Sequence, residues 1–269
     1  DGSVGDNKSF FIRRMRMIFF GDVSEHVYFY VQPDFASTPS GFTSNNALTG
    51  HFAQLRDAYF DVAFDDKKEF RIRFGQSKIP FGFENMQSSQ NRLALDRNDA
   101  INSCCKDERD IGAFFYWAPA EIRSRFRDLV SSGLKGSGDY GVFALGAYNG
   151  QGANRADRND QFHLVSRLTY PFLLPSGQFV EASLQGYRGK FQLPTTSTLV
   201  QKMDDQLGGF KDERVAASFV YYPQPWGFQA EWNWGHGPRI STDRRAIVEG
   251  DLNGGYFQTM YKKDNLFMK

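Results

Sequence analysis

Phe70-Arg71-Ile72-Arg73-Phe74 puts two guanidinium groups on one side of an extended segment and three apolar side chains on the other. Guanidinium is a rigid fork of donors that matches phosphate and carboxylate oxygens, so such groups in a row are anion-handling chemistry. The same alternation puts Arg14, Arg16 and Arg167 on polar strand faces, together with Asp57, Asp61, Asp110, Glu181 and Glu231. The acidic residues nearly balance the basic ones. Two readings of that balance stand. The charges pair across neighbouring strands and stiffen a wall, or the arginines pass anions from one site to the next.

Covalent chemistry finds no foothold. His26, His51, His163 and His236 are dispersed, with no metal-binding or triad spacing. Asp57 and Asp61 lie on one strand face about 13 Å apart, farther than paired glycosidase carboxylates. Gly150-Gln151-Gly152 lacks the third glycine and the apolar helix of a dinucleotide loop. Cys104 and Cys105 are adjacent and too few to bind zinc by themselves. They read as a loop thiol pair, with a strained vicinal disulfide as the sharper alternative. No catalytic residue, metal site or cofactor is expected, and a net charge of +1 gives no reason to invoke nucleic acid.

The elements that would position these charges are strands. The chain has 269 residues, 27 Phe and 12 Tyr, and no apolar run long enough for a membrane helix. Alternation marks eleven segments: residues 9–21, 26–31, 55–64, 69–76, 111–117, 140–148, 162–170, 178–187, 214–222, 228–234 and 255–261. Their connections alternate between short and long, which an ordinary soluble meander has no reason to do. The exception is 121–138, long and basic where a short turn is due, with room for a short helix but weak periodicity. The pattern predicts an all-β, transmembrane, antiparallel up-and-down β-barrel, read as one domain over residues 1–269. Phe70, Ile72, Phe74, Phe228 and Trp232 would face lipid. Trp117, Trp226, Trp232, Trp234, Tyr170 and Tyr221, near strand ends, would join a headgroup-level girdle, with ordinary core or subunit packing as the alternative.

An ordered series of segments resembles the phosphate-selective porin O/P family of outer-membrane channels. Phe11-Ile12-Arg13-Arg14-Met15-Arg16-Met17 is similar to its early strand, and Leu55-Arg56-Asp57-Ala58-Tyr59-Phe60-Asp61 to its next strand entry. Phe74-Gly75-Gln76-Ser77-Lys78-Ile79-Pro80-Phe81 resembles its Gly-Gln-x-Lys-x-Pro-Phe signature. Arg109-Asp110-Ile111-Gly112, Ala147-Tyr148-Asn149-Gly150-Gln151-Gly152, Arg167-Leu168-Thr169-Tyr170 and Gly254-Gly255-Tyr256 continue the series in order.

The resemblance implies a sixteen-stranded barrel, usually a trimer, in the bacterial outer membrane. Its partners would be membrane lipid and small hydrophilic solutes or anions, phosphate among them. It also implies that residues 84–108, with Arg92, Asp96, Arg97, Asp99 and Lys106, fold into the lumen as a constriction. The resemblance further implies that the sequence lacks one strand before residue 1 and about four after residue 269; independently of it, eleven strands is an odd count for such a barrel. The rival reading is a plugged barrel serving as a scaffold for a surface assembly, with residues 33–53 and 190–211 as contact loops. A soluble β-sandwich is the third.

Overall fold

The computed structural model describes residues 12, 14–35, 53–94, 96–105, 107–192, 200–201, 209–243 and 246–263. Eleven antiparallel strands follow one another up and down: β1 (Phe19–Asp22), β2 (Val27–Asp34), β3 (Gln54–Ala63), β4 (Phe70–Lys78), β5 (Arg109–Trp117), β6 (Phe143–Tyr148), β7 (His163–Leu173), β8 (Phe179–Phe191), β10 (Phe210–Tyr221), β11 (Trp226–Ile240) and β12 (Ala246–Tyr261). Between β8 and β10 the two-residue β9 (Val200–Gln201) pairs in parallel with the start of β12. Among the described residues β1 and β12 do not pair with each other, so the sheet is open.

Register follows the alternation. Asp61 stands opposite Arg73, while Phe60 opposes Phe74 and Val62 opposes Ile72. Acid therefore meets base on one face and aromatic meets aromatic on the other, the cross-strand pairing that stabilises a sheet. The Phe60 and Phe74 rings stack at 5.4 Å. Inside Phe74, Gly75 adopts a left-handed φ of 118°, and a Cβ there would lie 2.3 Å from the Ala58 carbonyl oxygen. Only glycine lets β3 and β4 approach so closely at this point.

Several boundaries differ from the sequence reading. β11 and β12 each run well beyond the alternating segments at 228–234 and 255–261. The added part of β12 includes Glu249, Gly250, Asp251, Asn253 and Gly254, all poor strand formers. Pairing along the whole of β11 overrides that preference. Within the described residues the first strand comprises β1 and an isolated bridge between Arg16 and Asp34, while residues 9–11 and 13 of the expected segment lie outside the described residues.

The exception at 121–138 contains a helix, α3 (Ala120–Ser131). Ile122, Phe126 and Leu129 are its buried stripe. Its first N–H donates to Glu69 Oε1 at 2.8 Å, a carboxylate placed where the helix dipole favours one. Gly133, in a left-handed conformation, closes its other end. α3 does not stay beside its own strands. Arg123 Nη1 donates to the Lys68 carbonyl in the β3–β4 turn, Arg125 Nη1 to the Pro171 carbonyl on β7, and Lys262 Nζ to the Ser132 carbonyl from beyond β12. The helix thus crosses the short-turn end of the sheet's concave side.

The connection between β4 and β5 enters from the opposite end. It carries two short helices, α1 (Phe83–Met86) and α2 (Asp99–Asn102). The Cys104 carbonyl accepts from Tyr187 Oη on β8, the Ser103 carbonyl and hydroxyl accept from Arg214 on β10, and the Ala100 carbonyl accepts from Asn233 on β11. Glu231 on β11 accepts from the backbone N–H groups of Phe83 (2.7 Å) and Glu84 (3.2 Å). The two inserted segments touch where Phe83 packs with Leu129 and Leu134, and where Gln87 donates to the Lys135 carbonyl.

This concave face is not uniformly wet. Ile79, Phe81 and Cys105 of the inserted segment pack with Phe114, Tyr116, Tyr148, Val165 and Tyr187 of the wall. Alternation predicts which face each side chain takes, but a dry inner cluster arises only once the connection covers that face. β5 alone among the described strands carries an inserted segment at both ends.

Candidate functional site: a cationic cage at the β4–β5 connection

β4 leaves the sheet at Lys78 and β5 returns to it at Arg109, and these two residues stand directly opposite each other. Like charges so placed repel. Two carboxylates relieve them. Asp57 on β3 accepts from Arg109 Nε with both oxygens at 3.0 Å. Glu108 accepts from Arg109 Nη1 with Oε2 and from Arg92 Nη1 with Oε1 at 2.8 Å. Arg97 Nε lies 3.4 Å from Oε1, and Arg56 Nη2 lies 3.7 Å from Oε2. Four guanidinium groups therefore surround one carboxylate. The Lys78 ammonium, nearby, donates to the carbonyls of Asn85, Met86 and Gln87, which ties the start of the inserted segment to β4.

Burial works against charge on Glu108, yet Lys78, Arg109, Arg97 and Arg92 together hold its carboxyl well below the usual carboxylate range. Glu108 and Asp107 both have left-handed φ angles, 68° and 61°. Two such residues in succession are strained for side chains of this type, so the surrounding contacts must hold them there.

Two cavities adjoin the cage. One of about 520 Å³ is bounded by Arg56, Arg97, Glu108, Asp110, His163 and Asp212. The His163 ring fills a slot in which a Cβ on Gly150 or Gly189 would come within 2.2 Å or 2.1 Å of it. The other cavity, of about 270 Å³, is bounded by Arg16, Tyr30, Tyr59, Arg73, Lys78 and Arg109. There the Tyr30 and Tyr59 rings stack at 5.3 Å, and the Arg73 guanidinium lies 3.7 Å from the Tyr59 ring centre.

The wall charges named from sequence sort as follows. Arg73 binds Asp61 through two hydrogen bonds of 2.7 and 2.9 Å. Arg71 donates to Asp139 at 2.9 Å, on the segment that carries α3. Arg167 meets Glu181 at 3.2 Å, and Glu181 also accepts from Thr169 and Tyr222. Arg16 meets Asp34 at 2.7 Å and reaches Ser89 of the inserted segment. Arg14 is half-buried outside the strands. Asp110 accepts from the Gly152 N–H at 2.9 Å. Asp57 sits in the cage and Glu231 holds α1, as described.

Of the inserted-segment residues, Arg92 and Arg97 are in the cage, Asp96 and Asp99 are exposed, and Lys106 lies outside the described residues. Phe70, Phe74, Phe228 and Trp232 lie exposed on the convex face, with Ile72 half-buried among them. Cys104 and Cys105 are free thiols where the inserted segment meets β8 and β10. Contact with the Cys104 thiol, then burial, pushes the Cys105 thiol well up, so it is a packed neutral group.

Sequence reading passed over Lys78, Arg56, Arg109 and Glu108. Three of them stand inside quoted landmark segments, where a usable signal was available: a cation at each end of one long connection requires an anion between them.

Among the described residues no cluster of three or more His, Cys, Asp or Glu could hold a metal ion, and no helix is long and apolar enough to cross a membrane. The chain is similar to OmpTdeltaL8, a loop L8 deletion mutant of OmpT, an outer membrane protein of Vibrio cholerae. The similarity spans 94% of this chain and 84% of that one, at 10% identity and a TM-score of 0.34. No curated protein matches the sequence. The family of phosphate-selective porins O and P matches over residues 1–265, almost the whole chain. The chain belongs to that family, and is a porin of the bacterial outer membrane that lets small hydrophilic solutes diffuse through its lumen.

Proposed function

We propose that solutes pass the lumen beside the Glu108 cage, and that this cage gives the porin its preference for anions, phosphate among them. The convergence of four arginines on one carboxylate carries the reading. Lys78, Arg56, Arg92, Arg97 and Arg109 are set there against Glu108 and Asp57, a local excess of positive charge. The wall arginines serve differently. Arg71, Arg73 and Arg167 each have a carboxylate partner, so they stiffen the wall and anchor the inserted segments.

Residues 84–108 act as the constriction in this reading, because a pore selects at its narrowest charged place. No bond is made or broken. The cage exchanges part of an anion's hydration shell for guanidinium donors, then releases it to the next cavity. Outer-membrane lipid covers the convex face, and the homotrimer implied by the family resemblance belongs to the same reading. Light scattering on the detergent-solubilised protein checks that oligomer.

The deciding experiment is the reversal potential of the purified protein in a planar bilayer under a KCl gradient. Single-channel steps with a reversal potential on the chloride side are expected. The preference should weaken as salt rises, since the field of the cage reaches only about 10 Å at 0.1 M. Cation preference, or no conductance steps, would overturn the reading.

A further inference from the structure

We infer that Glu108 is a tethered competitor: its carboxylate occupies the place of a passing tetrahedral oxyanion and must be displaced for one to bind. The inference rests on the anion-preferring reading above and adds a residue that sets its strength.

The cage holds more donors than Glu108 can use. A carboxylate offers two oxygens, and four guanidinium groups lie within 4.0 Å of them. Nε of Arg56 and Nε of Arg92 are buried without a hydrogen-bond partner. Such donors are costly to leave unpaired in an interior. An oxyanion with four oxygens and up to two charges would answer them better than one carboxylate does.

The backbone points the same way. Consecutive left-handed φ angles at Asp107 and Glu108 are unfavourable for these side chains, yet they bring the carboxylate into the cage. A residue needed only to neutralise charge could sit on a relaxed strand, as Asp57 does. Glu108 instead stands on the connection, beside a cavity of about 520 Å³ bounded by Glu108, Arg56 and Arg97. A cavity of about 520 Å³ is large enough for an oxyanion together with the withdrawn carboxylate. Exchange needs only rotation of the Glu108 side chain. Its backbone can keep the bonds to the Cys105 carbonyl at 3.0 Å and from the Ile79 N–H at 3.2 Å.

The test is block of chloride current by inorganic phosphate, in the full-length protein in planar bilayers, comparing wild type, Glu108→Gln and Glu108→Asp. Glu108→Gln should lower the half-blocking phosphate concentration by about tenfold and move the reversal potential further toward chloride. Glu108→Asp keeps the charge but shortens its reach, and should fall between the two. If Glu108→Gln fails to give heat-modifiable folded protein, Glu108→Asp alone decides. A half-blocking concentration that rises, or shifts by less than about twofold, would overturn the inference and leave Glu108 a structural counterion. A cation-selective wild type instead overturns the anion reading itself, so the two failures are distinguishable.

Discussion

Replacing Glu231 with Gln should loosen the inserted segment from the far wall. Glu231 on β11 receives the N–H groups of Phe83 and Glu84 on separate carboxylate oxygens, at 2.7 and 3.2 Å. Tyr256 Oη donates to it at 3.2 Å and Gln185 Nε2 at 3.4 Å. An amide of the same shape keeps one acceptor oxygen and turns an NH₂ toward the other backbone donor. The bond that survives loses its ionic character, a loss of about 1 kcal/mol. The bond that is lost leaves a buried N–H unpaired, at about 1–3 kcal/mol. Together these weaken docking by about 2–4 kcal/mol, or about 30-fold in the opening equilibrium at the low end. Amide hydrogen exchange in detergent reads this directly. Protection at Phe83 and Glu84 should fall by at least that factor, while the β7–β8 ladder stays unchanged. Trypsin should also cut faster at Arg92 and Arg97. A drop in protection of less than about threefold would refute the reasoning, because it would mean the segment is held by apolar packing rather than by Glu231.

Three further outcomes are expected. Asp61→Asn removes the double hydrogen bond to Arg73 and leaves a buried guanidinium without its charge partner, so the heat-modification midpoint of the folded barrel should fall, reflecting about 3–5 kcal/mol. Phe60→Arg puts a cation on the convex face beside Phe74 and should reduce folding yield in lipid by about 2–4 kcal/mol if the site is near the bilayer midplane, as denaturant titration measures. Burial disfavours charge on Asp139, but Arg71 and Arg123 outweigh it and hold its carboxyl below the ordinary range. A carboxyl depressed in the folded state stabilises above its unfolded value of about 3.9 and loses that contribution as pH falls further. The α3 segment should therefore keep full exchange protection at about pH 5 and open only below about pH 3.9; opening at about pH 5 would count against the ion pairs.

Much of this arrangement can be read in the sequence, and the limits have physical causes. Alternation in Phe70-Arg71-Ile72-Arg73-Phe74 gives the faces of β4, because the pleat repeats every two residues and needs no tertiary information. The whole of β12 does not show, because Gly250, Gly254 and Gly255 carry no facing preference and β11 supplies the order by pairing. α3 is visible as a break in the connection pattern, but Ile122, Phe126 and Leu129 make only a short stripe. Ile122 and Phe126 pack with the nearby Ala118 and Val142, but the burial of Leu129 depends on Val220, Tyr222 and Met260, distant in sequence. The cage is harder still. Arg56, Arg92, Arg97 and Arg109 come from one strand entry, a long connection and its return, and nothing local says that all four reach Glu108.

β5 joins the segment that enters from the long-loop end to the segment that crosses the short-turn end. Its nine residues make a rod of roughly 30 Å, stiffened on both edges by β4 and β6. Arg109 at one end grips the cage, and Trp117 at the other leads directly into α3. A push on either insert has this rod as its covalent path to the other. The two inserts are thus continuous through one strand paired on both edges and also meet directly where Phe83 packs with Leu129, so neither is attached to the wall independently of the other.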